Sequence, residues 1–480
     1  MKPLLLPVLP EAVLLGAACV VLLVDLVLPP ARRHVSFWLA QLALLVTALA
    51  IAVTGELEPV RALGGLVVDD MLSDVLKLVS AVAISVMLFY SRGYLAARGL
   101  FRGEILVLTL ISLLGMMVMI SAASFLTLYL GLELLALCLY SMVAMHRTSN
   151  AASEAAMKYF VLGALASGML LYGMSMIYGA TGSLDIFVIA RKVLAGSAQG
   201  GILIFGLVFV VSGIAFKLGA VPYHMWVPDV YHGAPTAVTL LIGTAPKLAA
   251  FALTLRLLGV ALAGLEFDWQ GMLIVLSLLS MVLGNVTAIA QTNIKRMLAY
   301  STIANMGYML LGFLAANLAG YSAAMFYVVA YVLTSLASFG VVMLLAREGF
   351  EADRIEDFRG LNQRSPWWAF IMLLVMFSLA GVPPTLGFYA KFAVIEAAVG
   401  AGFIWLAVAA VLASLVGAFY YLRVVKVMYF EDAVDTTPIV ARGDNRALLS
   451  ANGLALLLLG VLPQPLMELC VVALAQSGFI

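Results

Sequence analysis

The sequence predicts an all-α polytopic membrane protein of about fourteen transmembrane helices, with two inverted five-helix repeats and one broken helix in each. Three observations predict it. Of 480 residues, 64% are hydrophobic and only 11% charged, a balance that no soluble fold of this length requires. The apolar residues group into segments of about 20, the length that crosses a hydrocarbon core. Two short motifs recur in the same order, and each recurrence ends at a glycine–proline break inside a long apolar run.

The segments run approximately 5–28, 36–54, 71–91, 103–121, 124–145, 154–178, 201–231, 234–258, 268–292, 296–316, 319–346, 366–400, 403–430 and 447–472. The first lacks the basic start and small-residue cleavage site of a removed signal peptide, so it is read as a span. Segments 201–231 and 366–400 are too long for one straight crossing. They contain the breaks GAVP (219–222) and AGVPP (380–384) and read as discontinuous helices.

The repeat is carried by AAMKYFV (155–161) with AAMFYVV (323–329), and by LGAVPYH (218–224) with LAGVPPT (379–385). The unit therefore covers spans four to eight and again nine to thirteen. Five is odd, so the two units cross the membrane in opposite senses, which is the inverted-repeat plan of secondary transporters. Four parts follow: an N-terminal three-helix segment (1–100), a first repeat (101–260), a second, inverted repeat (261–430), and a C-terminal loop with the last transmembrane helix (431–480).

Sixteen of the 26 Lys and Arg residues fall in loops after odd-numbered spans, five on the opposite side and five within spans. The bias puts odd-numbered loops in the cytoplasm and both termini outside. A net charge of +1 argues against nucleic acid as a partner. Cys19, Cys138 and Cys470 lie far apart in apolar runs and read as small buried hydrophobes rather than metal ligands or disulfides. No Walker loop and no GxGxxG after a strand suggests a nucleotide site.

The chemistry lies in the intramembrane charges. Residues 213–247, GIAFKLGAVPYHMWVPDVYHGAPTAVTLLIGTAPK, combine Lys217, His224, Asp229, His232 and Lys247 with four prolines. A charge at mid-bilayer costs ~2.5–3.5 kcal/mol on insertion scales, and a broken helix strands backbone groups, so their combination points to an ion pathway. Glu133 lies midway along the fifth span, too deep to snorkel. Lys217 precedes the first break, and Lys391 follows the second. Lys247 follows Pro246, which frees the carbonyl four residues back.

Other residues weigh more evenly. Lys158 has Glu154 at i−4, so a snorkelling pair rivals a functional role. Lys77 has Asp74 nearby, lies outside both repeats and reads as structural. His224 has a pKa range suited to relaying protons, but a histidine that hydrogen-bonds at the break is an equal reading; for His232 the structural reading is the stronger. Burial lowers a lysine's affinity for its proton and a nearby carboxylate restores it, so a row of such groups is a set of coupled titrating sites. Nothing in the chain supplies chemical energy, so the drive must come from a partner.

FKLGAVPYHMWVPDVYHGAPTAV, TAPK, KRMLAYSTIANMGYMLLG (295–312) and GVPPTLGFYAKF (381–392) closely resemble the antiporter-like membrane subunits of the respiratory NADH:quinone oxidoreductase, complex I. The resemblance covers about residues 100–430. It is strongest to the N-type branch, the counterpart of mitochondrial subunit 2: the chain is short, and lysine stands at both the eighth- and twelfth-span positions. The resemblance implies that Glu133 and Lys217 pair at the first half-channel, that Lys247 is the central relay and Lys391 the terminal proton site, and that Lys158 lies near the pair. Ser378 is expected opposite Lys217 in the second repeat.

It further implies proton translocation coupled to quinone reduction, in a translocase whose other membrane and peripheral subunits are partners. NADH, FMN, iron–sulfur clusters and quinone would sit on those subunits, with no cofactor or redox site in this chain. The membrane it implies is a bacterial inner membrane, with both termini on the periplasmic side. Membrane lipid is a direct partner and the quinone pool an indirect one. Two other readings stand beside it: a subunit of a multi-chain cation/proton antiporter, and a structural membrane-arm spacer. The spacer reading must accept five intramembrane lysines, at roughly 12–18 kcal/mol on the insertion scale.

Overall fold

A computed structural model describes residues 6–55, 58–198, 200–435, 437, 439 and 442–478. Helices α1 (Leu9–Val27) and α2 (His34–Thr54) form an antiparallel pair, followed by a two-stranded hairpin, β1 (Val60–Ala62) and β2 (Val67–Asp69), in which Arg61 faces Val68. Then come α3 (Met71–Ala97), α4 (Gly103–Ile120), α5 (Phe125–Val143), α6 (Asn150–Thr181) and the short α7 (Ile186–Leu194). Starts are set by side-chain caps: Asp70 accepts from Ser73 N at the start of α3, Ser124 caps α5 and Ser149 caps α6.

The central region holds α8 (Gly200–Leu218), α9 (Trp226–Gly233), α10 (Thr236–Gly243) and α11 (Ala245–Thr254), which continues as a π-helical turn over Leu255–Ala261. Next are α12 (Glu266–Ile289), α13 (Ile294–Leu314), α14 (Leu318–Leu345), the single turn α15 (Leu361–Arg364), α16 (Pro366–Ala380), α17 (Leu386–Gly400), α18 (Ile404–Phe430), α19 (Gly443–Val461) and α20 (Gln464–Ala475).

Helix stands at every one of the expected segments. Among the described residues, twelve helices are long and apolar enough to cross a membrane, and α19 with α20 would make a thirteenth. The expected straight final span is corrected here: α19 and α20 meet at 82° around Leu462–Pro463, because the proline begins a new helix where the old one has ended. Helix α16 has only 15 residues, and its expected span continues past the break into α17.

Helices α10, α11, α13 and α14 are buried nearly all round and form the core. Helices α1, α2, α6 and α18 instead turn residues such as Val53, Leu165 and Leu415 outward, as a lipid-facing rim requires. Glycine lets one key pair approach closely: a Cβ at Gly115 would come 2.7 Å from Leu135 N, and one at Gly131 would come 2.6 Å from Met119 N. Helix α5, which carries Glu133, is thereby locked onto α4 by small residues rather than by apolar bulk, the usual device where lipid cannot drive packing.

Two charges counted with the loops are interior. Arg256 is fully buried in the π-helical turn and donates to Asp70 (3.0 and 3.2 Å), Ser73 Oγ (2.9 Å) and Ile120 O (3.0 Å). Lys295 is 4% exposed and donates to Ala234 O (2.9 Å), where α9 gives way to α10. Lys77 is corrected too. Its ammonium lies 2.7 Å from Glu11 of α1, not on Asp74, because a residue 66 positions away in sequence but on a packed neighbouring helix reaches it better than one a single turn back.

Candidate functional site

The two breaks share one geometry. Helix α8 ends at Leu218 and Gly219 takes φ 80°; helix α16 ends at Ala380 and Gly381 takes φ 82°. Both are glycine because a Cβ disfavours the left-handed region. Ala220 N then bonds Ala215 O (2.8 Å), and Val382 N bonds Phe377 O (2.9 Å), the same six-to-one closure of a helix C-terminus. This pairing corrects the register of the motif comparison by one residue. Leu379, not Ser378, stands opposite Lys217; the second break still lacks a lysine there. Ser378 Oγ instead meets Thr334 Oγ1 (3.1 Å) and accepts from Gly387 N (3.1 Å).

Each helix end is capped by a buried lysine. Lys247, 2% exposed on α11, donates to Leu218 O (3.1 Å) and Lys217 O (3.5 Å). Lys391, 8% exposed on α17, donates to Leu379 O (2.9 Å), Ala380 O (3.0 Å) and Ser414 Oγ (3.2 Å). A helix C-terminus offers unsatisfied carbonyls and negative potential, the medium in which an ammonium survives burial. Aromatic faces add to it: Lys247 lies 5.6 Å from the Trp226 ring centroid and Lys391 4.9 Å from that of Tyr308. Trp226 is itself fixed by a bond to Phe216 O (3.0 Å) and by stacking on Tyr159.

Lys217 and Lys247 line one cavity of about 30 Å³, with Tyr159, Trp226 and Pro246 in its wall. That is room for a water molecule. Glu133 stands off this cavity on α5. Its carboxylate field reaches Lys217, and the charge of Lys217 reaches Lys247. The expected closed Glu133–Lys217 ion pair is not formed: among the described residues no such contact lies within 4 Å, and Glu133 Oε1 is buried with no hydrogen-bond partner. Lys217 sits in the last turn of α8 beside its own break and faces the cavity, whose α5 wall is made by Leu132, Leu135, Ala136 and Leu139 rather than by Glu133.

Lys158 is not part of this group. It is exposed and bonds Glu154 (2.8 Å) and Asp229 (2.7 Å), and Asp229 also takes Arg296 (2.9 Å). The expected row at one depth therefore loses this member, and the snorkelling alternative describes its surroundings. Asp229 links α6, α9 and α13 at that end. His224 lies half-buried in the break with Nδ1 unpartnered. His232 Nε2 stands 4.0 Å from Asp353.

Lys391 lines a second cavity of about 10 Å³, with Asn305, Tyr327, Tyr331, Thr334 and Ser378. From it a run of hydroxyl and amide groups crosses α13, α14 and α18. Tyr327 donates to Asn305 (2.6 Å), Asn305 donates to Ser301 Oγ (3.2 Å), and Ser301 meets Tyr421 Oη (2.5 Å). Thr302 and Tyr331 share a further bond (2.7 Å). Sequence reasoning missed this run, and missed Lys295 and the Arg256–Asp70 pair. Serines, threonines and tyrosines scattered through apolar helices carry no spacing signal, and a helix-start lysine looks like a loop charge. A count of polar residues along α13 and α14 would have flagged the run.

The whole chain is similar to proteins of known family. A family profile described as "NADH:quinone oxidoreductase/Mrp antiporter, TM" matches residues 122–417. An NADH-quinone oxidoreductase subunit N of Thiobacillus denitrificans is 59% identical over 471 residues, covering 98% of both chains. One from Methylovorus glucosotrophus is 58% identical over 470 residues, covering 98% of this chain and 97% of the other. Among solved structures, a chain of Thermus thermophilus respiratory complex I with bound aureothin superposes with a TM-score of 0.82 at 32% identity, over 96% of this chain and 99% of that one.

Proposed function

The chain belongs to the subunit N family of NADH-quinone oxidoreductase, the antiporter-like proton-translocating membrane subunits of complex I, and on that premise we propose that its protons pass along Glu133, Lys217, Lys247 and Lys391. It works with the other complex I subunits as part of a multi-pass membrane translocase. The observation that carries the residue-level reading is the matched capping of two broken-helix C-termini by buried lysines. Each ammonium is held by carbonyl dipoles and an aromatic face rather than by a committed counter-ion. Such a lysine can keep or release its proton as its neighbours change charge.

Glu133 starts the line by biasing Lys217 through space. Lys217 and Lys247 exchange through the small cavity they share. Lys391 ends the line, with the Asn305–Ser301–Tyr421 run as its connection across the second half. His224 borders the first break and is assigned an entry role there; Lys158, with Asp229 and Arg296, forms the charged rim around it. The five-helix repeats and the divisions near residues 100, 260 and 430 belong to the same reading, as do both termini on the outer side. NADH, FMN, iron–sulfur clusters and the quinone headgroup are placed on sibling subunits.

Two experiments test this. Glu133→Gln and Lys217→Met should each depress NADH-driven proton uptake into inverted vesicles, and the double variant should lose less than the sum of the singles in free-energy terms. Independent, additive losses would contradict coupling between them. For orientation, a cysteine at position 353 should be labelled from the cytoplasmic side of sealed vesicles; labelling from the outer side would reverse the topology.

A further inference from the structure

The N-terminal helices, which the lysine line does not use, hold a second cluster of titratable groups beside the β-hairpin. Glu11 of α1, Asp69 of β2, the cap Asp70, and Asp74 and Lys77 of α3 meet there, with Arg256 entering from the π-helical turn and Ser121 from the end of α4. Asp69 is 2% exposed, Asp70 and Lys77 are fully buried, and Glu11 is 8% exposed. The two cations have partners: Lys77 lies 2.7 Å from Glu11, and Arg256 lies 3.0 Å from Asp70. Asp69 and Asp74 have no ion pair within 4 Å among the described residues.

Instead, the two carboxyl groups hydrogen-bond each other. Two ionised carboxylates cannot share a hydrogen bond; one of the four oxygens must carry a proton. Asp69 Oδ2 and Glu11 Oε2 are both buried without a hydrogen-bond donor, and Lys77, the cation whose field reaches both aspartates, is in contact with Glu11. Burial pushes the Asp69 carboxyl up to about 6, with the field of Lys77 and the hydrogen bond with Asp74 opposing and the fields of Glu11 and Asp70 adding, so at neutral pH Asp69 is the accepting side of the pair and Asp74 the donating side. Asp74 packs tightly on Gly55, where a Cβ would come 2.7 Å from Oδ2, yet it is only partly buried, so the pair has a side open to exchange.

We propose that Asp69 and Asp74 form a carboxyl pair that holds one shared proton at neutral pH and exchanges it between the interior and the aqueous phase on the β-hairpin side. The connection to the lysine line is the continuous α11 helix with its π-helical turn. Lys247 and Arg256 are nine residues apart on it, roughly 13 Å at an α-helical rise, and Arg256 grips the residue next to Asp69. The assignment of that side as outer rests on the topology proposed above; the shared proton does not.

The test uses the purified, membrane-reconstituted complex. Infrared difference spectra between wild type and Asp69→Asn/Asp74→Asn should contain one protonated-carboxyl C=O band. The band should shift in D2O and fade as pH rises above neutral. If the double variant does not assemble on a native gel, Asp69→Asn alone serves. Its amide can still donate to Asp74, which then ionises, and the band should be lost while the fold is kept. In assembled variants, proton uptake per NADH oxidised should fall. A difference spectrum with carboxylate bands alone at neutral pH overturns the shared proton. A band present with uptake unchanged in the variants overturns the exchange role. Failure of the lysine line would instead appear as normal uptake in Lys217→Met, with this band untouched.

Discussion

Lys391→Met should reduce NADH-driven proton uptake by about a hundredfold, the lower part of the range contributed by a positioned proton-transfer group, and should slow quinone reduction with it. Methionine fills nearly the same volume, so the packing of α17 against α16 and α18 is kept. What goes is the ammonium and its three bonds, to Leu379 O, Ala380 O and Ser414 Oγ. Losing the donor leaves Leu379 O unsatisfied in an apolar interior, at about 1–3 kcal/mol, while Ala380 O keeps its bond from Ser414 Oγ (3.4 Å). Assembly must therefore be followed alongside activity. A complex that assembles and oxidises NADH with an artificial acceptor, yet takes up no protons, is the expected phenotype. Uptake close to wild type in that assembled complex would remove Lys391 from the pathway.

Much of this arrangement is legible in the chain. The spans show as apolar runs because lipid forbids exposed backbone, and the breaks show because glycine followed by proline inside such a run has few structural uses. Lys247 and Lys391 stand out for the same reason: a charge deep in an apolar segment is expensive unless it is used. What the chain hides is pairing across distance. Lys77 has Asp74 one turn back, and only folding brings Glu11 from α1 to within 2.7 Å. Arg256 reads as a loop charge until α3 supplies Asp70 and Ser73.

Depth is the other quantity that sequence conveys poorly. Lys158 and Lys217 both lie inside predicted spans, but α6 begins at Asn150, which puts Lys158 two turns in and within reach of exposed Glu154 and Asp229. Lys217 is at the far end of α8 and faces the interior cavity. The one-residue shift that makes Leu379 the counterpart of Lys217 is also invisible to motif matching. LGAVP and LAGVP align without a gap on leucine, valine and proline, whereas the left-handed glycine, not the leucine, fixes where each helix stops.

The central claim is that the buried lysines act by releasing protons, and Lys247→Arg isolates it. Arginine keeps the positive charge and can still donate to Lys217 O and Leu218 O, which Lys247 now serves. It can also lie against the Trp226 ring. It does not deprotonate in proteins. Charge, hydrogen bonding and assembly are thus retained, and only the release of a proton is removed. The measurement is the initial rate of NADH-driven proton uptake into inverted vesicles, beside NADH oxidation by the same vesicles with an artificial acceptor. The predicted result is uptake reduced about a hundredfold at unchanged acceptor activity; uptake at the wild-type rate would show that Lys247 never gives up its proton and would contradict the account.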